Sequence, residues 1–369
     1  MVQLTYCGKR CARKLRSFCH LPKVSVIIPV FNRVQTVGSA LRSVLAQTMG
    51  DLEVIVIDDG STDGSAEAVQ QIDDGRVRLI RLGENRGIPD ARNAGLAAAR
   101  AEYVAWLDSD DIARPTRIER QLKYLTVHED VAFVGACAGK ICWKGRRRHG
   151  VRVPPLAYED IAAWLLFRSA FQNSAITGRA DIFRQFPYRP KFCVCEDIDQ
   201  FQRIAARHRT ANLPAVLIDR RLHPGQSIRE RVGDMRRLKF ELFAKQLERL
   251  GMTMEADDVA KHVQLGNPKL PSVNPSADLL SWADEWLVRM ARANGSSRLV
   301  DDRSLSLASA FFWARACAEA APTIGWATAA RRLVSGQAAR QIGAARARHW
   351  LGSMLKVQIA SGLLLSLRF

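Results

Sequence analysis

The chain is predicted to be an α/β protein, with a Rossmann-like, mostly parallel sheet sandwiched by helices and an additional C-terminal all-helical region. Three observations support this. Short apolar runs alternate with amphipathic stretches from Val24 to Gly135. Three of those runs end in polar or acidic residues, in V24-S-V-I-I-P-V-F-N-R33, E53-V-I-V-I-D-D-G-S-T-D63 and W106-L-D-S-D-D111. From about Arg231 onward the pattern is helical throughout. Open parallel sheets bind ligands outside the carboxyl ends of their strands, so the acids fall where a site is expected.

The elements follow in order. Val24–Val30 is a continuous apolar run, as in a strand buried on both faces. Asn32 is an N-cap candidate, followed by Val34, Val37, Leu41, Val44 and Leu45 at helical spacing. Glu53–Ile57 is the second strand, and Ser61 or Thr62 is placed to cap the next helix. Val77–Leu82 and Tyr103–Leu107 are further strands, separated by an Ala-rich helix over Asp90–Arg100. Pro115 suits the first position of a helix through Leu125, and Val131–Gly135 is a fifth strand. This βα alternation implies right-handed crossovers. Beyond it, Lys144–His149 reads as a basic turn, Ile161–Phe167 and Asp197–His208 as helices, and Ala215–Ile218 as a last strand. Linker-like chemistry occurs at Gly266–Pro275 and Asn294–Ser297. The expected division is a basic tail over 1–22, a catalytic-type α/β domain over 23–230 and a helical region over 231–369.

At 369 residues, 47% hydrophobic and 25% charged, the chain can bury a substantial core. Its net charge of +18 is concentrated at the ends. Residues 1–23 hold six Lys or Arg and no acid, and residues 311–369 hold eight against Glu319 alone. Such ends suit a polyanionic partner. No apolar h-region follows the basic amino terminus before Pro22, so a cytoplasmic protein with free thiols is expected. Cys7, Cys11, Cys19 and His20 could hold zinc, but their spacing matches no common finger or ribbon and reads better as a tail. No run of about 18 apolar residues exists, and Val357–Leu367 is too short to span a membrane.

Five clusters carry chemistry, each with an ordinary alternative. Asp108-Ser109-Asp110 ends a strand and could place two carboxylates on one hard cation with phosphate oxygens; alone it reads equally as a solvated acidic turn. Asp58-Asp59-Gly60-Ser61-Thr62-Asp63 could accept from a base N–H, or simply cap a helix. Asn85-Arg86-Gly87 and Arg92-Asn93 supply guanidinium groups suited to phosphate or base stacking, or form a plain loop and helix. Glu196-Asp197 could include a general base, or serve only as acids at a helix start. His223 could ligate a metal, although a lone His in a turn is more often neither ligand nor base.

Taken in order, these motifs resemble the family 2 glycosyltransferases, an inverting group with the GT-A fold that uses nucleotide-diphosphate sugars. The resemblance covers roughly residues 23–230 and rests on VSVIIPVFNR, VIVIDDGSTDGS, ENRGIPDARNAG and WLDSDD. It implies that Pro29, Val30, Phe31 and Asn32 line the nucleotide pocket and that Asp59, with Asp58 beside it, accepts from the base. It implies that Arg86 and Arg92 frame base, ribose and diphosphate, that Asp108 with Ser109 approaches the ribose, and that Asp110 ligates Mn2+ or Mg2+, with His223 nearby. Asp197 is the implied catalytic base. The implied partners are a nucleotide-diphosphate sugar donor and a saccharide or lipid-linked acceptor.

Processive relatives carry Q-x-x-R-W and membrane spans, whereas Gln200-Phe201-Gln202-Arg203 here precedes Ile204 and lies too close to Asp197. A single-sugar, non-processive transfer in cell-surface polysaccharide or glycolipid synthesis is therefore expected. A competing reading is a catalytically silent α/β protein that binds an anionic membrane or nucleic acid through its basic ends. No recognition-helix, zinc-finger or aromatic-basic signature supports nucleic acid, and no G-x-G-x-x-G follows the first strand to support a dehydrogenase. Arg331, Arg332, Arg340, Arg346 and Arg348, interleaved with Leu333, Val334, Ile342, Trp350 and Leu351, fit either an interfacial helix on the inner membrane face or a solvated helical subdomain. Which sugar, base and acceptor are used is not written in these motifs; Phe171–Thr177 and Pro187–Cys195 are acceptor-side candidates.

Overall fold

The computed structural model describes residues 21–222, 231–268, 270 and 272–337. Cys7, Cys11, Cys19, His20, His223, Arg340, Ile342, Arg346, Arg348, Trp350, Leu351 and the segment 357–367 lie outside the described residues. In chain order the elements are β1 (Val24–Val30), α1 (Val34–Leu45), β2 (Leu52–Asp58), α2 (Ser65–Gln70), β3 (Val77–Arg81), α3 (Ile88–Ala98), β4 (Tyr103–Trp106), β5 (Ile112–Ala113), α4 (Arg117–Val127), β6 (Val131–Cys142) and β7 (Arg147–Arg152). They continue with α5 (Tyr158–Trp164), β8 (Thr177–Arg179), α6 (Ala180–Gln185), α7 (Glu196–Ala205), β9 (Arg209–Leu222), α8 (Val232–Arg249), α9 (Ala256–Gly266), α10 (Ala277–Ser297), α11 (Asp302–Ile324) and α12 (Trp326–Ser335).

The strands form one sheet in the order β3-β2-β1-β4-β8-β6-β9-β5, with β7 on β6. β1 to β4 are the parallel half, and every residue of β1, β2 and β4 is buried. The α/β class of the sequence reading holds, but β8 enters antiparallel between β4 and β6. β5 and β7 also pair antiparallel, while β6 and β9 run parallel. β6 is therefore not the direct neighbour of β4.

Several boundaries differ from expectation for local reasons. Arg33, not Asn32, precedes α1, because Asn32 adopts φ 51 and its side chain accepts from Thr62 N at 2.9 Å. The start of α1 is satisfied from across the loop: Asp63 accepts from Val34 N at 3.0 Å and Ser65 Oγ from Arg33 N at 2.7 Å. Gly64, not Ser61 or Thr62, caps α2. α3 starts at Ile88 rather than Asp90, after Gly87 with φ 91. α4 starts at Arg117, two residues beyond Pro115, whose carbonyl accepts from Thr48 N. The basic segment turns within 143–146 and enters β7 at Arg147. β9 is far longer than Ala215–Ile218, because its exposed Pro214 sits where the register with β6 shifts, a place where proline costs little.

The carboxy-terminal helices pack on the sheet domain's own apolar core. One buried cluster runs from Ile27, Ile55 and Trp106 through Phe167, Phe183 and Phe201 to Leu280, Trp286 and Phe312. Polar ties fix the same junction: His262 Nε2 meets Leu166 O at 2.8 Å, Trp286 Nε1 meets His262 Nδ1 at 3.0 Å, and Ser304 donates to Asp160 at 2.8 Å. Burial pushes His262 down to about 4, so it is neutral near pH 7 and can serve both contacts. Asn294–Ser297 is the last turn of α10 rather than a linker; the buried Asn294 side chain bonds Val300 O and Asp302.

Candidate active site

The carboxyl ends of β1, β2 and β4 converge, and each carries one motif. At the end of β1, Pro29 and Val30 are fully packed in the sheet, so only backbone and the half-exposed Phe31 can face a ligand there. Asn32 accepts from Thr62 and donates its N–H to Ser61 Oγ at 3.0 Å, which ties the two loop ends together. Asp58, buried, accepts from Ser61 N at 3.2 Å.

Asp59 is engaged by the neighbouring loop. Its two carboxylate oxygens accept from Arg86 N at 2.8 Å and Gly87 N at 2.9 Å. Burial raises its pKa, and those two amides pull against that rise. Asp59 therefore holds the 84–87 loop. Gly60, at φ 76, makes this approach possible: a Cβ there would lie 2.6 Å from Glu84 C. Arg86 remains about half exposed beside Glu84, at 3.4 Å.

The segment Ala91 to Gly95 explains itself once folded. Gly95 lets α3 lie against the sheet, since a Cβ would meet Ile27 Cγ2 at 2.4 Å. Asn93 exchanges two hydrogen bonds with the Tyr188 backbone, at 2.8 and 2.9 Å. Arg92 is buried and faces inward. It pairs with Glu196 and, at 3.1 Å, with Asp108, while its guanidinium lies 5.3 Å from the Tyr188 ring centroid. Burial disfavours the Arg92 charge, but Glu196, Tyr188, Asp108 and Asp197 raise its pKa, so it stays protonated.

The β4 motif divides its labour. Asp108 is half-buried and accepts from Arg92 and from Asn173 Nδ2 at 3.1 Å. Ser109 is buried. Asp111, also buried, accepts from Ser174 Oγ at 2.6 Å and Arg221 N at 2.9 Å. Burial first, then Asp110 and Asp108, hold its carboxyl well above the usual range. Asp110 is half-buried, and its carbonyl accepts from Arg221 Nε at 2.8 Å. Beneath them, buried Arg117 donates to Trp106 O at 2.8 Å and Ile176 O at 3.0 Å; burial lowers it to about 9.

Across from Asp108, α7 opens with Glu196 and Asp197. Glu196 is buried against Arg92, and its pKa rises to about 7 through burial, with Arg92 opposing and Asp197 assisting. Asp197 is half-buried in the first helical turn, where the helix dipole favours an anion, and it accepts from Ile198 N at 2.8 Å. Three polar atoms around this centre, Arg92 Nε, Asn173 Oδ1 and Tyr188 Oη, are buried without a hydrogen-bond partner among the described residues. Each such group costs roughly 1–3 kcal/mol, which a bound polar ligand would relieve.

Whether a divalent cation fits can be judged from the donors. Among the described residues no group of three or more His, Cys, Asp or Glu could hold a metal alone. Asp108 accepts from Arg92 and Asn173, Asp111 from Ser174 and Arg221, and the half-buried Asp110 ends the same turn, where a carboxylate suits a cation that also takes phosphate oxygens. That donor set fits Mg2+ or Mn2+, which commonly take one or two carboxylates plus substrate oxygens. His223 lies outside the described residues. Asn173, Ser174, Tyr188 and Arg221 were not singled out from the sequence; the first three fall in the two acceptor-side segments, with no spacing signal of their own. A groove of about 550 Å3 between α7 and α8, lined by Arg189, Asp199, Arg203 and Lys245, contains none of the motif residues and is not this site.

A Rossmann-like sheet with an acid-lined strand end near a second carboxylate pair is an arrangement of the GT-A-type fold. The model of glycosyl transferase family 2 matches residues 25–186, so this part of the chain is similar to that family. A protein of Haemophilus influenzae described as an uncharacterized glycosyltransferase is 28% identical over 272 residues, covering 68% of this chain and 84% of that one. Succinoglycan biosynthesis protein ExoO of Rhizobium meliloti is 45% identical over 103 residues, covering 28% of this chain and 30% of that one; the shared stretch is thus under a third of ExoO. The structure of S. aureus TarS 1-349 in complex with UDP-GlcNAc has a TM-score of 0.53 at 16% identity, covering 85% of this chain and 92% of that one, which supports the fold. No helix among the described residues is long and apolar enough to cross a membrane.

Proposed function

We propose that this protein is an inverting, non-processive glycosyltransferase. It would move one sugar from a nucleotide-diphosphate donor to a hydroxyl of a saccharide or lipid-linked acceptor, in cell-surface polysaccharide or glycolipid synthesis. The observation that carries this reading is Arg92, whose contacts with Asp108 and Glu196 draw the D-S-D strand end and the E-D helix start onto one centre.

The nucleotide would lie over Phe31 and the loop that Asp59 fixes, with Arg86 at its edge. Asp110 would hold a divalent cation, which when bound offsets negative charge on the diphosphate leaving group. Asp197, the less buried member of its pair, would take the proton of the attacking hydroxyl, while Glu196 stays bound to Arg92 and keeps the α7 start in place.

The test is a panel of nucleotide sugars, read by thermal stabilisation and by metal-dependent release of nucleotide diphosphate. At least one donor should stabilise the chain only with Mn2+ or Mg2+. Asp110→Ala should weaken that metal-dependent binding about tenfold or more, measured by calorimetric titration, and an unchanged metal requirement would remove Asp110 from the role.

Peripheral docking on an anionic membrane is proposed separately. α12 exposes Trp326 at 70% and Val334 at 73% beside Arg331 and Arg332. Apolar and cationic groups exposed on one short helix suit a headgroup boundary. The full chain should co-sediment with liposomes containing phosphatidylglycerol and not with neutral ones; equal binding to both would remove the electrostatic role.

A further inference from the structure

We propose that Arg152, Arg168 and Lys239 form an anion-binding acceptor subsite beside Asp197, which takes the phosphate of a phosphorylated acceptor. This rests on Asp197 facing the acceptor, as read above. The three cations come from distant parts of the chain: the end of β7, the turn after α5, and α8.

A short run of contacts assembles them. Lys239 Nζ donates to Asn267 Oδ1 at 2.8 Å, and Asn267 Nδ2 reaches Phe167 O at 3.4 Å. Arg168 follows directly. Arg152 then donates to Ser169 O and to Gln172 Oε1, both at 3.0 Å. The next residue, Asn173, donates to Asp108. Segment 167–173 is thus tied to Lys239 through Asn267 and to Arg152 directly, carries Arg168 itself, and ends at Asn173 on Asp108.

The charges of this group are not matched by local acids. Among the described residues Arg152, Arg168, Arg220 and Lys239 form no ion pair, and Arg168 and Arg220 make no side-chain hydrogen bond. All four are half-buried and reach solvent. Burial lowers Arg152 to about 10, Arg168 and Arg220 lower it further, and Asp197 opposes them. Lys239 is lowered by burial, with Cys195 and Asp197 opposing and Arg168 and Arg152 adding to the fall. Glu319, which acts on Arg168, is already paired with Arg315 at 3.3 Å.

Half-buried cations crowded together repel one another unless an anion joins them, and guanidinium groups match phosphate geometry well. Asp197, with Glu319 already shared with Arg315, leaves the four positive charges in excess. The donor's own phosphates are provided for elsewhere, at Asp110. A phosphate on the acceptor would offset this excess and bring the attacking hydroxyl to Asp197.

The experiment titrates glucose 1-phosphate, glucuronate and glucose into the full chain by calorimetry, with EDTA present so that no metal-dependent donor site forms. Glucose 1-phosphate should bind, and the other two should not. Arg168→Gln and Lys239→Gln should each weaken it about tenfold, as expected for losing one charged hydrogen bond. Gln at 239 can still reach Asn267, and Arg168→Lys should restore most of the affinity, which a purely structural role would not require. Asp110→Ala should leave it unchanged. Affinity insensitive to both cation substitutions, loss in Asp110→Ala, or equal binding of glucuronate would each overturn the proposal. Failure of the nucleotide-sugar panel would instead sink the transfer reading and leave this titration interpretable.

Discussion

Asp197→Asn is expected to lower kcat by about 10^2–10^4-fold while leaving metal-dependent nucleotide affinity within about twofold of wild type. Asn keeps the size and the acceptor oxygen that meets Ile198 N, so the first turn of α7 should survive. What it loses is the capacity to take a proton from the acceptor. Asp197 suits this task better than its neighbour because Glu196 is buried and bonded to Arg92, whereas Asp197 is open enough to meet a hydroxyl. Single-turnover transfer and calorimetric nucleotide titration on the same preparation separate the two effects. Turnover retained within tenfold would place the base elsewhere.

Arg92→Met should produce the largest loss of stability, about 3–5 kcal/mol near pH 8, because it leaves Glu196 buried without its cation. The loss should depend on pH, and its sign follows from the shift. The folded pKa of Glu196 lies near 7 against an ordinary 4.5, so the folded state binds this proton more tightly than the unfolded state. Stability from this group is therefore highest below about 4.5 and falls as pH rises through 7. Removing Arg92 takes away the charge that opposes the rise, so the deficit should be small at pH 5 and large at pH 8. Glu196→Gln in the same background should recover much of it, since a neutral amide needs no counter-charge. Urea unfolding at the two pH values decides; an equal deficit at both would show that lost packing against Tyr188, not charge, is responsible.

The parallel half of the fold was legible because its code is local. Strands buried on both faces read as unbroken apolar runs, and β1, β2 and β4 fell where those runs are. β8 was not legible: Thr177–Arg179 is three residues long, and its partners Tyr103 to Ala105 and Phe133 to Val134 are far away in sequence. The amino-terminal part of β9 was hidden by Pro214, which a shift in register accommodates.

The site shows the same division. Motif order located the acids, since strand ends and helix starts are marked by residue type. Their partners were not marked. Nothing in D-A-R-N-A indicates that Arg92 turns inward to join Asp108 with Glu196 while its neighbour Asn93 holds Tyr188. The link between Asp59 and the 84–87 loop was not marked either: only the close approach of that loop over Gly60 shows that the Asp59 oxygens accept from Arg86 and Gly87 N–H. The cationic group of Arg152, Arg168 and Lys239 has no sequence signature, because its members meet only through the β7 hairpin, the turn after α5 and α8.

The decisive measurement is a crystal structure of the full chain with Mn2+ and the nucleotide diphosphate that its donor panel selects, with data collected for manganese anomalous scattering. The anomalous peak should lie against Asp110, with the nucleotide over Phe31 and the diphosphate on the side that faces Asp197. Manganese and nucleotide bound away from Asp110, or a diphosphate with Asp197 out of reach behind the protein, would contradict a transfer centre built around Arg92.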